Sequence, residues 1–176
     1  MNYHNILHDD MRNGDGLRVV LFTSGCIHHC ENCQNHQTWD IASGITFDEE
    51  AKKEIMNELS NDYISGITFS GGDPLHDENL SEVFKLCNEI KERYPEKTIW
   101  IYTGYTWEDI VDDINNHGTS TALLRGSITF LADVLVDGKY IEELKDVNYP
   151  WAGSTNQRVI DVQKSIKESK VVLYTK

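Results

Sequence analysis

Short apolar runs alternate with amphipathic helical segments along this chain, and that alternation restricts the possible folds more than any other feature. The strongest strand candidates are residues 18–24, 64–70, 98–104 and 133–137, and weaker candidates are 158–162 and 170–175. Near-continuous apolar strands joined by helices favour a parallel sheet covered by helices, and 176 residues are too few for an eightfold barrel. We therefore expect an α/β fold, an incomplete, curved (β/α) barrel with mostly parallel strands and helices on the outer face. One domain should span residues 1–176.

Signals for helix starts follow the first three strong strand candidates. Thr46 begins a pattern typical of a capping box, and the helix that follows should reach about residue 59. Asn79 is expected to open a second helix and Thr106 a third. The stretch 119–131 is compatible with either a helix or a strand.

Three cysteines, Cys26, Cys30 and Cys33, lie directly after the first apolar run, so three thiolates can converge from one short loop. Cysteine thiolates are the usual ligands of iron–sulfur clusters, and a four-iron cluster normally takes four of them. A group of three leaves one iron without a protein ligand, and that iron could bind a substrate. The fourth cysteine, Cys87, falls on the apolar side of a helical pattern and is assigned to the core.

Zinc is an alternative for this loop, because His28, His29 and His36 are near enough in sequence to complete a tetrahedral site. It is disfavoured because no second Cys-x-x-Cys or His-x-x-His pair occurs in the sequence. A disulfide is disfavoured more strongly, since three clustered cysteines cannot pair off and nothing in the sequence suggests secretion.

The chain is strongly acidic, with 16 Lys and Arg against 29 Asp and Glu and a net charge of -13. That charge argues against nucleic acid and against anionic membrane surfaces as partners. The first residues lack the pattern of a signal peptide, and no long hydrophobic span occurs. We therefore expect a cytoplasmic protein with reduced thiols, whose partner is another protein or a small ligand.

A second motif, Gly71-Gly72-Asp73-Pro74, ends the second apolar run. Two adjacent glycines let the backbone approach a ligand closely, and Pro74 fixes the turn that follows. Taken alone, such a turn is more often only the end of a strand, with Asp73 capping or solvated. Because loops after parallel strands share one edge of a sheet, the cysteine loop, this turn and the turn at Thr103 should face one cleft.

Together the two motifs resemble those of the radical S-adenosylmethionine (SAM) enzymes, which combine a Cys-x-x-x-Cys-x-x-Cys loop with a Gly-Gly-acid-Pro turn. Asp73 stands where that family usually has Glu. The resemblance implies that Cys26, Cys30 and Cys33 hold a [4Fe-4S] cluster whose fourth iron is chelated by SAM. The residues that it implies as cofactor contacts are Ser70, Gly71, Gly72, Asp73, Thr103, Asn156 and Arg158.

Further stretches narrow the resemblance. The lead-in at residues 14–18 is similar to that of the activating enzymes for glycyl-radical proteins. Asn32 stands where many radical SAM enzymes have an aromatic residue, a departure that is common among the activating proteins of anaerobic ribonucleotide reductase. The segments that are similar to those activating proteins are 33–39, 100–105, 133–138 and 153–158.

The resemblance also implies a mechanism, in which an unidentified one-electron donor reduces the cluster and the cluster reduces the sulfonium of SAM. The products are methionine and a 5′-deoxyadenosyl radical, which removes a hydrogen atom from a glycine in the large subunit of anaerobic ribonucleotide reductase. No catalytic side chain is implied, because the cofactors carry the chemistry. Two alternatives stay open, an activase of another glycyl-radical enzyme such as pyruvate formate-lyase and a non-catalytic iron–sulfur or zinc module.

Overall fold

Seven strands form one open sheet in the computed structural model, which describes residues 1–175; Lys176, the last residue of the predicted domain, lies outside the described part. The strands are β1 (Asn2–Asp10), β2 (Leu17–Thr23), β3 (Ile45–Thr46), β4 (Ile64–Gly71), β5 (Thr98–Tyr102), β6 (Val134–Asp137) and β7 (Arg158–Asp161). The helices are α1 (Glu49–Leu59), α2 (Leu80–Arg93), α3 (Trp107–Asn116), α4 (Ser120–Leu131) and α5 (Val162–Glu168). Two short 3-10 turns cover His36–Thr38 and Glu142–Leu144.

The strand order across the sheet is β3-β1-β2-β4-β5-β6-β7. The central strands β2, β4, β5 and β6 pair in parallel, while β1 and β7 run antiparallel to their neighbours β2 and β6. Strand β3 pairs antiparallel with β1 and so runs in the direction of β2. The α/β class and the mostly parallel sheet are therefore confirmed, and the sheet is open with β3 and β7 at its edges. Its curvature into a partial barrel stays a prediction.

The two faces of the sheet are covered differently. On one face, alternate strand residues such as Leu21, Phe69 and Ile101 pack with buried residues of all five helices in the larger apolar cluster. On the other face, a smaller cluster around Trp100 is covered by Trp151 and Tyr174, which come from the last third of the chain. The helices thus leave the second face of the sheet to loops.

Capping residues define the starts of α1, α3 and α4, and the start of α1 differs from the prediction. Helix α1 is capped by Asp48, whose carboxylate accepts from the backbone N–H of Glu50 and Ala51, so the cap lies two residues after the predicted Thr46. Thr106 begins α3 as predicted, and it forms a capping box with Asp109. Thr119 caps α4, which resolves the stretch 119–131 as a helix.

The ends of the chain departed from the sequence pattern. Strand β1 was not predicted, because its exposed positions interrupt any apolar run. Within this strand only Tyr3, Ile6 and Asp10 are buried. The strand predicted at 170–175 does not form in the described residues; an isolated bridge joins Leu173 to Ile160 instead. None of the helices in the described part of the chain is long and apolar enough to cross a membrane.

Arg18 holds the amino ends of the central strands together. Its guanidinium is fully buried and donates to the hydroxyl of Thr68 at 2.8 Å, the hydroxyl of Thr98 at 2.9 Å and the carbonyl of Ile67 at 2.7 Å. It also lies 5.3 Å from the ring centroid of Trp100. Burial lowers its pKa to about 10. The lead-in segment that ends at Arg18 therefore supports the amino ends of the strands, opposite the ends that carry the cysteine loop.

Candidate functional site

The sequence motifs meet at the carboxyl ends of the parallel strands, as the sequence predicts. We call this side of the sheet the carboxyl edge. The cysteine loop follows β2, the glycine pair ends β4, and Thr103 follows β5. Arg158 begins the antiparallel β7 and pairs in register with Asp137 at the end of β6, so it lies at the same edge. Loops at this edge form the binding sites of open α/β sheets, and all the candidate residues lie there.

Backbone hydrogen bonds close the base of the cysteine loop. The N–H of Gly25 donates to the carbonyl of Thr38 at 2.7 Å, and the N–H of Cys26 donates to the carbonyl of Trp39 at 3.0 Å. Inside the loop, His29 has φ 46° and Asn32 has φ 54°, in the left-handed region that asparagine tolerates better than most residues. Two residues between the first and last cysteine thus adopt left-handed backbone geometry.

The thiols of this loop differ from that of Cys87 in exposure. Cys26, Cys30 and Cys33 are all partly exposed, whereas Cys87 is fully buried among core residues of α2, as predicted. Burial raises the pKa of the Cys26 thiol to about 11 and that of Cys87 to about 12. Because ligation needs thiolates, binding of a metal to Cys26 would release a proton. Only the loop thiols are accessible to an incoming cluster.

Two of the three histidines that could complete a zinc site contact other side chains. Within residues 1–175, no three or more His, Cys, Asp or Glu side chains are grouped closely enough to hold a metal ion, so ligation requires the thiols to turn toward one another. The Nε2 of His28 is hydrogen-bonded to Asp73 at 2.7 Å, and the ring of His29 stacks on Trp39 at 4.6 Å. A fourth tetrahedral ligand is therefore not supplied by His28 Nε2, while three thiols suit a cluster with one open iron.

Asp73 connects all three loops at this edge. Its carboxylate is buried and accepts from His28 Nε2 at 2.7 Å, the Thr103 hydroxyl at 2.9 Å and the Gly104 N–H at 3.1 Å. The other carboxylate oxygen accepts from the N–H of Leu75 at 2.8 Å. The side chain of Asp73 thus bonds to the cysteine loop, its own turn and the loop after β5. Sequence reasoning missed this contact with His28, which lies 45 residues away in the chain.

The glycine pair lets the turn pack against the base of the cysteine loop. A Cβ atom at Gly72 would lie 2.5 Å from the carbonyl oxygen of Gly25, the residue before Cys26. Gly71 has φ 97°, and its Cβ would lie 2.8 Å from backbone atoms of Phe22 and Thr23. The close approach that the sequence predicts is therefore first of all an approach between two segments of this protein.

Asn79 also links the glycine turn to the base of the cysteine loop, through contacts that its sequence position does not indicate. It is the residue before α2, as predicted, but its side chain makes no capping hydrogen bond. Instead, its buried Nδ2 donates to the carbonyl of Ser24 at 2.7 Å and to that of Asp73 at 3.1 Å. The start of α2 thereby fixes the end of β2 to the glycine turn.

Residues 156–158, a polar segment near the end of the chain, lie at the rim of the carboxyl edge. Arg158 donates to Asp137 at 3.0 Å through Nε and to Glu108 at 3.0 Å through Nη1. Hydrogen bonds to Asp137 and then to Glu108 raise the pKa of Arg158 above its usual value. Asn156 donates to the carbonyl of Lys139 at 2.8 Å. Both residues therefore hold the rim through contacts within the protein.

Replacing Asp73 by asparagine should destabilise the protein by about 3 kcal/mol, because the amide cannot accept all the donors that now converge on two carboxylate oxygens. Chemical denaturation should show a lower midpoint with an unchanged slope. The matched control is Asp62→Asn at an exposed position, which should leave the midpoint within experimental error. An Asp73→Asn variant as stable as the wild type would contradict this role.

Comparison with known proteins places these features in a class and then in a family. A family model described as "4Fe-4S single cluster domain" matches residues 12–160, the part that holds the parallel sheet and the three-cysteine loop. The chain is 42% identical over 159 residues to the "Anaerobic ribonucleoside-triphosphate reductase-activating protein" of Enterobacteria phage T4, with 90% of this chain and 93% of that protein covered.

Proteins of the same name from two bacteria are similarly close. The protein from Escherichia coli strain K12 is 40% identical over 161 residues, with 90% of this chain and 97% of that protein covered. The protein from Vibrio cholerae is 42% identical over 159 residues, with 89% of this chain and 96% of that protein covered. The chain therefore belongs to the family of anaerobic ribonucleoside-triphosphate reductase-activating proteins.

Proposed function

We propose that this protein activates an anaerobic ribonucleotide reductase by generating a glycyl radical on its large subunit. The observation that carries the proposal is the similarity to activating proteins over 90% of the chain, combined with a three-cysteine loop at the carboxyl edge of the sheet. An enzyme of the radical SAM type would use this edge as its active site. The sheet would curve into a partial barrel within one domain, and the enzyme would act in the cytoplasm.

In this proposal Cys26, Cys30 and Cys33 hold a [4Fe-4S] cluster, and SAM chelates the iron that lacks a cysteine. Their partial exposure supports this assignment, since the cluster and the substrate must reach them from solvent. When bound, the two cofactors supply one-electron cleavage of the sulfonium, which yields a radical able to remove a hydrogen atom from a partner glycine. The electron comes from a separate donor protein or reductant.

The residues proposed to surround SAM are those of the same edge: Ser70, Gly71, Gly72, Asp73, Thr103, Asn156 and Arg158. Ser70 and Gly72 are bonded to Thr23, just before the cysteine loop: the N–H of Gly72 donates to the carbonyl of Thr23 at 2.8 Å, and the carbonyl of Ser70 accepts from the Thr23 hydroxyl at 3.2 Å. The carboxylate of Asp73 and the hydroxyl of Thr103 are hydrogen-bonded to each other at 2.9 Å, which supports a role in holding the loops in place. Asn156 and Arg158 would line the rim, where the guanidinium is held by two carboxylates.

A titration of SAM into the anaerobically reconstituted protein tests this proposal. The expected result is saturable binding, followed on reduction by equal amounts of 5′-deoxyadenosine and methionine. The Cys30→Ala variant serves as the control and should release neither product. A protein that carries a full cluster yet neither binds nor cleaves SAM would instead be a non-catalytic iron–sulfur module.

A further inference from the structure

The indole N–H of Trp39 is a buried hydrogen-bond donor with no acceptor in the described residues. Buried donors are nearly always paired, so an unpaired one requires an explanation. In residues 1–175, the other buried side-chain atom in this condition is Oδ1 of Asn79, which is an acceptor. Among residues 1–175, Trp39 is therefore distinctive as a buried donor without an acceptor.

Trp39 contacts the cysteine loop at two points. Its carbonyl accepts from the N–H of Cys26 at 3.0 Å, and its ring stacks on that of His29 with centroids 4.6 Å apart and planes 16° apart. Because the two rings lie face to face, the in-plane N–H of the indole does not point at the imidazole. The unsatisfied donor thus belongs to a residue whose backbone is bonded to Cys26 and whose ring stacks on His29, the residue before Cys30.

We propose that the indole N–H of Trp39 donates a hydrogen bond to a sulfur of the cysteine-held iron–sulfur cluster, either an inorganic sulfide or a cysteine thiolate. This proposal rests on the cluster assigned under the proposed function, but it needs neither SAM nor the partner protein. Hydrogen bonds to the sulfurs are among the features that set the potential of such clusters. Since reduction adds negative charge to the sulfurs, the bond strengthens on reduction and makes the cluster easier to reduce.

The test is a potentiometric titration of the reconstituted Trp39→Phe variant, which keeps an aromatic ring against His29 and removes only the N–H. The potential reports how much the bond strengthens on reduction, and a hydrogen bond strengthens by about tenfold in equilibrium constant when its acceptor gains charge. The reduction equilibrium should therefore weaken about tenfold, which is about 59 mV toward more negative potential for one electron. Trp107→Phe is the matched control, because the ring of Trp107 packs on Phe130 of α4, and the potential of this variant should not change.

Iron and sulfide analysis shows whether each variant carries a full cluster, so that a changed potential is not confused with a lost cluster. A Trp39→Phe variant with full iron and the wild-type potential would overturn the proposal. If that variant loses iron, its potential cannot be compared with that of the wild type, and the hydrogen bond is then tested in the wild-type protein by magnetic resonance. With the indole nitrogens labelled with 15N, magnetic coupling of the reduced cluster to the label is expected in the wild type and in Trp107→Phe, and its absence would overturn the proposal. A wild-type protein that never takes up iron would refute the proposed function at its first step.

Discussion

Replacing Cys30 by alanine should abolish stable [4Fe-4S] binding, and the same result is expected for Cys26 and Cys33. With only two thiolates left in the loop, a second iron loses its protein ligand. Anaerobic reconstitution followed by iron, sulfide and absorbance measurements gives the readout. The effect should be near-complete loss, the largest expected from any single substitution in this chain.

Cys87→Ala is the matched control for this experiment. Cys87 is fully buried in α2 and its thiol is held neutral by burial, which raises its pKa to about 12. Its replacement should cost about 1 kcal/mol in unfolding free energy through lost packing and leave the iron content unchanged. If Cys87→Ala loses the cluster as completely as Cys30→Ala, the assignment of three ligands is wrong.

Gly72→Val should both destabilise the protein and lower its iron content, because the new side chain would strike backbone. Its Cβ would lie 2.5 Å from the carbonyl oxygen of Gly25, which directly precedes the first cysteine. Forcing the cysteine loop away should cost about 3 kcal/mol and displace Cys26 from the other two ligands. Denaturation midpoints and iron content after reconstitution measure the two effects.

The control for Gly72 is a glycine that has room for a side chain. Gly118 follows α3, has φ 55°, and a Cβ there would lie 3.7 Å from its nearest neighbour, the carbonyl oxygen of Ile114. Gly118→Ala should cost only about 1 kcal/mol of backbone strain and leave the iron content intact. A Gly72→Val variant with wild-type iron content would show that the turn does not support the cysteine loop.

The parallel character of the sheet was predictable because its central strands are short and apolar and are joined by helices. Burial on both faces makes such strands continuous apolar runs, which sequence patterns detect well. Strand β1 was missed since it alternates exposed and buried positions irregularly. The predicted strand at 170–175 failed because it meets the four-residue β7 only at one bridge, Leu173 to Ile160.

The candidate site was predictable in its contiguous motifs and not in its long-range contacts. The three cysteines and the glycine turn are each visible within a few residues of sequence. The hydrogen bonds of Asp73 to His28 and Thr103 join residues 45 and 30 positions apart. No local pattern encodes such pairs, and Asn79 shows the same limit, since its amide bonds to Ser24 across 55 positions rather than to its own helix.

Electron paramagnetic resonance of the activated partner shows directly whether this protein is an activase of anaerobic ribonucleotide reductase. The reconstituted protein, with reductant and SAM, is mixed anaerobically with its cognate anaerobic ribonucleotide reductase and, separately, with pyruvate formate-lyase, and each mixture is examined by electron paramagnetic resonance. We expect an oxygen-sensitive glycyl radical on the reductase, with release of 5′-deoxyadenosine and methionine, and no signal with Cys30→Ala. A radical that forms only on the lyase would contradict the assignment of the partner, although the cluster chemistry would stand.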